Sequence, residues 1–146
     1  MSMNMFFRAF TPQELDKMDA DHLLIDQWIW EDETYSLATD VETAWDVLNV
    51  ILGGVGFPDY PYLDDVLSNG CVLMSAEVVK DHAQKLSDWT REQVLEGLRN
   101  LDADTDLYHL EIFQEDEDYL LAQFDRLGIF YREAAEKGLG AVSYPA

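Results

Sequence analysis

The side chains of this 146-residue sequence able to do metal or acid–base chemistry are three histidines, one cysteine and thirty carboxylates. A zinc site wants two imidazoles at helical spacing, or imidazoles paired with cysteines. His22, His82 and His109 are placed in neither way; His82, beside Ala83 with Lys80 and Lys85 close by, reads as a partly exposed structural histidine. Asp102, Asp104 and Asp106 alternate like the first ligands of a calcium loop, in which carboxylates at positions one, three and five approach one hard cation. Position six is Leu107 instead of glycine and position twelve is Phe113 instead of a bidentate glutamate, so the run reads as an acidic connector. Cys71 has no second cysteine to bridge to and sits beside Val72 and Leu73, the setting of a buried apolar filler. A nucleophile elbow, a phosphate-cradling glycine loop, a dinucleotide fingerprint and a Cys-x-x-Cys pair are all missing from the sequence. No catalytic residue, cofactor or metal is expected.

Charge is the feature that remains. Thirty acidic residues against nine basic ones give a formal net charge of −21. Direct binding to a nucleic-acid backbone is disfavoured, because displacing its counterions takes clustered lysine and arginine. No basic residue occurs between Lys17 and Lys80, an interval with thirteen acids that include Asp26, Asp59, Asp64 and Asp65. A second such interval, between Arg99 and Arg126, holds nine acids. These stretches project a negative field that attracts a basic partner, with an approach rate that falls as salt rises. The competing reading is that the acids only keep the chain soluble. Trp30, Phe57, Tyr60 and Tyr62 fall in segments of weak or irregular structure, and rings on such segments anchor protein interfaces. With Asp59, Asp64 and Asp65 they form the candidate binding set; the bland alternative is that they cap the edge of the core.

The elements that must position these residues follow from pattern and punctuation. A chain 48% hydrophobic is rich enough to build one sizeable core, and no stretch is apolar enough for a membrane helix. With no basic-then-apolar leader at Met1–Phe10, the expected location is cytosolic. Met3–Phe10 reads as a strand, followed by a helix that Thr11-Pro12-Gln13-Glu14 opens with a capping box and a proline in its first turn. His22–Trp30 reads as a short helix running into the acidic loop Glu31-Asp32-Glu33. Thr39-Asp40-Val41-Glu42 looks like a second capping box, starting a helix whose face is Val41, Ala44, Trp45, Leu48 and Ile51 or Leu52 and which Gly53-Gly54 stops. Gly54–Tyr62 is an irregular loop expected to fold back on the body or to form a contact surface. Cys71–Met74 is a brief strand, and Ser75 and Thr90 then cap two helices expected to lie antiparallel to one another. The last helix, from about Asp116 to Lys137, carries Leu120, Phe124, Leu127, Tyr131 and Ala134 on one stripe and is the expected core pillar. Gly140–Tyr144 reads as a terminal strand pairing with the first.

Three places in this pattern carry a resemblance along nearly the whole chain: the opening MFFRAFTPQEL, the segment Ala44-Trp45-Asp46-Val47-Leu48-Asn49 running into Leu52-Gly53-Gly54, and the closing Phe130-Tyr131-Arg132-Glu133-Ala134-Ala135. The chain resembles the YfbM-like family of bacterial proteins of unknown function. In the family pattern the middle helix reads Trp, two residues, Leu, His and ends in Thr-Gly; here Asn49 replaces that histidine and Gly53-Gly54 the Thr-Gly. The family's double glycine before the middle strand is represented by Asn69-Gly70. The resemblance implies a fold and no activity, and a catalytic role for the family's histidine would be closed to this member.

The sequence is thus read as one mostly helical α+β domain over residues 1–146, with a small sheet of N- and C-terminal strands and Cys71–Met74 as a candidate third. Its expected role is that of an acidic protein-binding module, an inhibitor or immunity-like protein that neutralises a basic partner. The alternatives are an enzyme with an acidic pocket and a nucleic-acid mimic. Because no ligand spacing for a structural metal is present, prolonged chelation is expected to leave the melting temperature unchanged. A drop of several degrees, reversed by zinc or calcium, would contradict that.

Overall fold

In the computed structural model, which describes residues 2–31 and 33–146, five antiparallel strands form one sheet in the order β2-β1-β5-β4-β3. They are β1 (Met5–Phe10), β2 (Leu37–Asp40), β3 (Tyr62–Leu63), β4 (Cys71–Met74) and β5 (Gly140–Pro145). The helices are α1 (Pro12–Ala20), α2 (Leu23–Trp28), α3 (Trp45–Ile51), α4 (Ala76–Ser87), α5 (Arg91–Arg99), α6 (Leu110–Glu115) and α7 (Glu117–Glu136). The α+β class and the pairing of the terminal strands agree with the sequence, and the middle segment joins the sheet as β4.

Alternation along the strands sorts the side chains between two faces. Phe7 and Ala9 of β1, Val72 and Met74 of β4 and Ala141 of β5 point to one side, where α3 to α7 cover them. Phe10, Cys71, Leu73, Val142 and Tyr144 point to the other, where α1 and α2 supply Leu15, Met18 and Ile25. Helices therefore lie on both faces of the sheet, five on one and two on the other. The β1–β5 register sets Phe6 opposite Tyr144 and Arg8 opposite Val142, and β4 pairs with the far edge of β5 through Leu73 and Val142.

The local signals at helix starts behave as their chemistry requires. Thr11 and Thr90 each form a reciprocal capping box with Glu14 and Gln93, and Ser75 accepts the Val78 N–H. All five residues of the α7 stripe are buried, and α4 and α5 both pack against it.

Three expectations need correction. Thr39 and Asp40 do not cap a helix; they pair with Phe7 and Phe6 as the edge strand β2. Asp40 Oδ1 accepts the Glu42 N–H, and the Glu42 carboxylate reaches away to accept from buried Gln123 of α7 at 2.9 Å. A short 3-10 turn, Glu42–Ala44, then leads into α3, so the helix begins at Trp45. Its expected inner face is otherwise sound, with Val41, Ala44, Leu48 and Leu52 buried. Second, α4 and α5 do not pack along one another as a pair; each packs against α7 instead. Third, the acidic connector Asp102–Asp106 leads into a helix, α6, whose Leu110 and Phe113 are buried and which the sequence reading left unassigned.

Phe124 is 7% exposed in the middle of α7. Its replacement by alanine is expected to cost about 3–5 kcal/mol of stability, the range for removing a buried phenyl ring. Chemical denaturation of the variant measures this, and a midpoint that hardly moves would contradict the assignment of α7 as pillar.

Candidate functional site

The loop from Gly53 to Pro61 owes its path to three glycines with positive φ: Gly53, Gly54 and Gly56. Gly56 is held at both of its backbone polar groups. Its N–H donates to His82 Nδ1 of α4 at 2.8 Å, and its carbonyl accepts the hydroxyl of Tyr131 of α7, also at 2.8 Å. Its φ of +89° is one that L side chains rarely adopt, and a Cβ there would also press on the Leu127 side chain, so glycine suits this position. The clasp turns Phe57 inward, where its ring meets Phe7 edge-on at 6.1 Å. Asp59 and Tyr60 are left exposed beyond it.

The chain then returns as β3. The Tyr62 hydroxyl donates to the Asn69 carbonyl at 3.0 Å, and the phenol end of Tyr62 occupies the space that a side chain at Gly70 would need. Between β3 and β4, Asp65 binds His22 Nδ1 at 2.8 Å and Asp26 accepts the Leu67 N–H at 2.8 Å, which ties this connection to α2. Trp30, just past α2, stands edge-on to Tyr144 at 6.0 Å.

These contacts bring the predicted residues other than Asp64 around three adjoining hollows. The first, about 640 Å³, is lined by Asp26, Trp30, Asp65, Asn69, Tyr144 and Pro145 among others. The second, about 290 Å³, shares Asn69 and Pro145 with the first and adds Tyr62, Asp59 and Phe57. The third, about 380 Å³, shares Asn49, Phe57, Pro58 and Asp59 with the second and ends at Tyr60, His82 and Lys85. Together they form a groove that crosses the loop ends of β3, β4 and β5. Trp30, Tyr60 and Tyr62 are 63%, 81% and 55% exposed and stand along it, whereas Phe57 is committed to the core and serves as wall. Asp64 is exposed but lines none of the three hollows. Sequence reasoning missed Asp26, Asn69 and His82 as groove residues. The signal for His82 was the neighbouring glycine-rich loop, which needs an acceptor for each amide it turns inward.

Hydrogen bonding to Asp65 raises the His22 pKa, and the same bond lowers that of Asp65. Burial lowers the pKa of His82, with Lys85 adding to the fall and Asp81 opposing it. Burial pushes the Cys71 thiol up to about 12, and the charges of Asp26 and Asp65 add to this, so it holds no thiolate for nucleophilic work at neutral pH. Burial likewise raises the Tyr131 hydroxyl, which keeps its proton for Gly56. Among the described residues no group of three or more His, Cys, Asp or Glu side chains is placed to hold a metal ion. No helix among them is long and apolar enough to cross a membrane.

An α+β sheet with helices on both faces and an acidic, ring-bordered groove at its loop ends is therefore the class of molecule in hand. The chain belongs to the DUF1877 family, a domain of unknown function, whose family model matches residues 1–144. It is similar in structure to YfbM from Escherichia coli, a protein of unknown function, with a TM-score of 0.65 over 98% of this chain and 99% of that one at 13% identity. That likeness is one of fold. A comparison with curated proteins gave no match.

The His82 bond makes the loop's anchorage depend on pH. The neutral ring accepts the Gly56 N–H, and the folded pKa lies below the unfolded value of about 6.5. The unfolded chain then binds more protons in that interval, so the His82 contribution is complete above about pH 6.5 and is lost as pH falls through the folded pKa. Melting temperatures measured across this range should show the wild type losing stability relative to His82→Gln on acidification. Parallel curves for the two would contradict the assignment.

Proposed function

We propose that this protein is an acidic binding module whose groove receives a basic segment of another protein, as an inhibitor or immunity-like protein would. The observation that carries the reading is the adjacency of the three hollows, the first and second sharing Asn69 and Pro145 and the second and third sharing Asp59, with carboxylates and exposed rings along their borders. Asp26, Asp59 and Asp65 line the groove, and Lys85, at its far end, is its one lysine or arginine. A field of this sign steers a basic partner and raises the encounter rate. Trp30 offers a ring face beside two carboxylates, a setting in which a lysine or arginine side chain gains both ion-pair and cation–π energy. Tyr60 and Tyr62 supply rigid area at small entropic cost, as anchors of interfaces do.

An enzyme reading has less support. His22 is engaged by Asp65, His82 by Gly56, and His109 is stacked on Tyr108 at 4.0 Å, while Cys71 is buried.

The test is capture on immobilised protein. Bound partners are expected to be basic proteins that elute as salt is raised, and Trp30→Ala and Tyr60→Ala should each weaken binding of the captured protein about tenfold or more, the effect of losing an anchoring ring. Both residues are largely exposed, so the melting temperature should stay close to that of the wild type. Capture of acidic proteins, or capture indifferent to both substitutions, would overturn the reading.

A further inference from the structure

The nine basic residues are unevenly placed. Seven of them, from Lys80 to Lys137, lie in the stretch that forms α4, α5 and α7. A groove of about 680 Å³ runs between α4 and α7 on that side, with a predominantly apolar floor that includes Phe124 and Trp89. Its borders carry Lys80 and Arg132 against Asp125 and Glu136, two charges of each sign, so this face is locally balanced on a chain of net charge −21. Lys80, Arg132 and Glu136 form no ion pair among the described residues, although the chain holds more than three acids for each base. In the middle of the groove Ile129 projects with 45% of its surface exposed. Beside it Gly128, also in the groove lining, carries no side chain, and a Cβ there would enter open space.

We propose that the groove between α4 and α7 is the surface through which two copies of this chain pair about a two-fold axis, with Ile129 of each copy seated over Gly128 of the other. A two-fold interface requires a patch complementary to itself. A projecting residue next to a bare glycine on one helix meets that requirement when α7 crosses its own copy, in the manner of ridges packing into grooves. The charges meet it as well, because the two-fold sets Lys80 and Arg132 against Glu136 and Asp125 of the other copy. Coulomb repulsion between two chains of −21 opposes contact through any acidic face, and a balanced apolar face is where a second copy comes closest at least cost. A strongly acidic partner helix would leave Asp125 and Glu136 facing like charge, which favours the self-pairing occupant.

Sedimentation equilibrium over a concentration series tests this. The expected result is a species of twice the 16.8 kDa chain mass, which Ile129→Glu converts to monomer by raising the dissociation constant about tenfold or more, the scale for exchanging a buried isoleucine for a charge. Gly128→Leu should weaken pairing by filling the open space over Gly128, and circular dichroism and melting temperature should confirm that both variants are folded. Raising salt should strengthen the dimer by screening the net repulsion, whereas it releases a basic partner from the acidic groove, so failure of either reading is seen separately. A wild-type chain that is monomeric at every concentration and salt, or a dimer untouched by Ile129→Glu, would overturn the proposal.

Discussion

The structure depends on where its last strand goes. β5 lies between β1 and β4 and makes the contacts that join the two halves of the sheet. Gly140 to Tyr144 is buried along its whole length, with Ala141 among the residues of the larger helical layer and Val142 and Tyr144 against α1 and α2. A strand buried on both faces must be apolar and uncharged, which is why GAVSY interrupts a sequence otherwise dense in acids. Gly140 is required for a further reason: a side chain there would run into Leu15 and the Met74 carbonyl. Since β1 and β5 come from opposite ends of the chain, the sheet closes only when both termini have been brought together. Such a long-range pairing has a large loop-closure cost that the burial on its two sides must offset.

With the sheet closed in that way, the loops at one end of β3, β4 and β5 fall next to each other and next to α2. The carboxylates from the basic-free interval are gathered there by specific bonds, Asp65 to His22 and Asp26 to the Leu67 amide, so they are held in place instead of fanning out into solvent. The opposite arrangement holds at α4 and α7, where most of the cations lie and where several are paired: Lys85 with Asp81, Arg91 with Asp125, and Arg126 close to Asp40 and Glu42. Exposed pairs of this kind add little stability. What they change is the field, leaving one side strongly negative and the other near balance.

Gly56 links this electrostatic division to the core. Its two backbone bonds reach His82 on α4 and Tyr131 on α7, the two helices that pack most extensively against each other. The loop bearing Asp59 and Tyr60 is thus fastened to the most closely packed pair of helices. If the groove receives a partner as proposed, rings and carboxylates so fastened would lose less entropy on binding than they would on a free loop.

Taken by itself, the sequence determined the features that rest on local chemistry. The capping boxes at Thr11 and Thr90, the stripe of α7 and the two terminal strands were legible because side-chain periodicity and cap geometry act over a few residues, and the YfbM-like family was legible as a resemblance in three short motifs. It also pointed to Trp30, Phe57, Tyr60 and Tyr62 as rings without an obvious helix face to bury them, of which Phe57 packs against the core and the other three stay exposed. Tertiary structure alone decided the fate of Thr39 and Asp40, whose capping pattern yields to β1 because a strand edge offers a row of backbone partners that a single cap cannot match. It likewise decided that Phe57 turns inward while Tyr60 stays out, since that depends on two bonds to Gly56 from residues 26 and 75 positions away. The groove itself, built from Asp26, Asp59, Asn69, His82 and Pro145, exists only after β5 has closed the sheet. No local pattern encodes a surface whose members meet through long-range pairing.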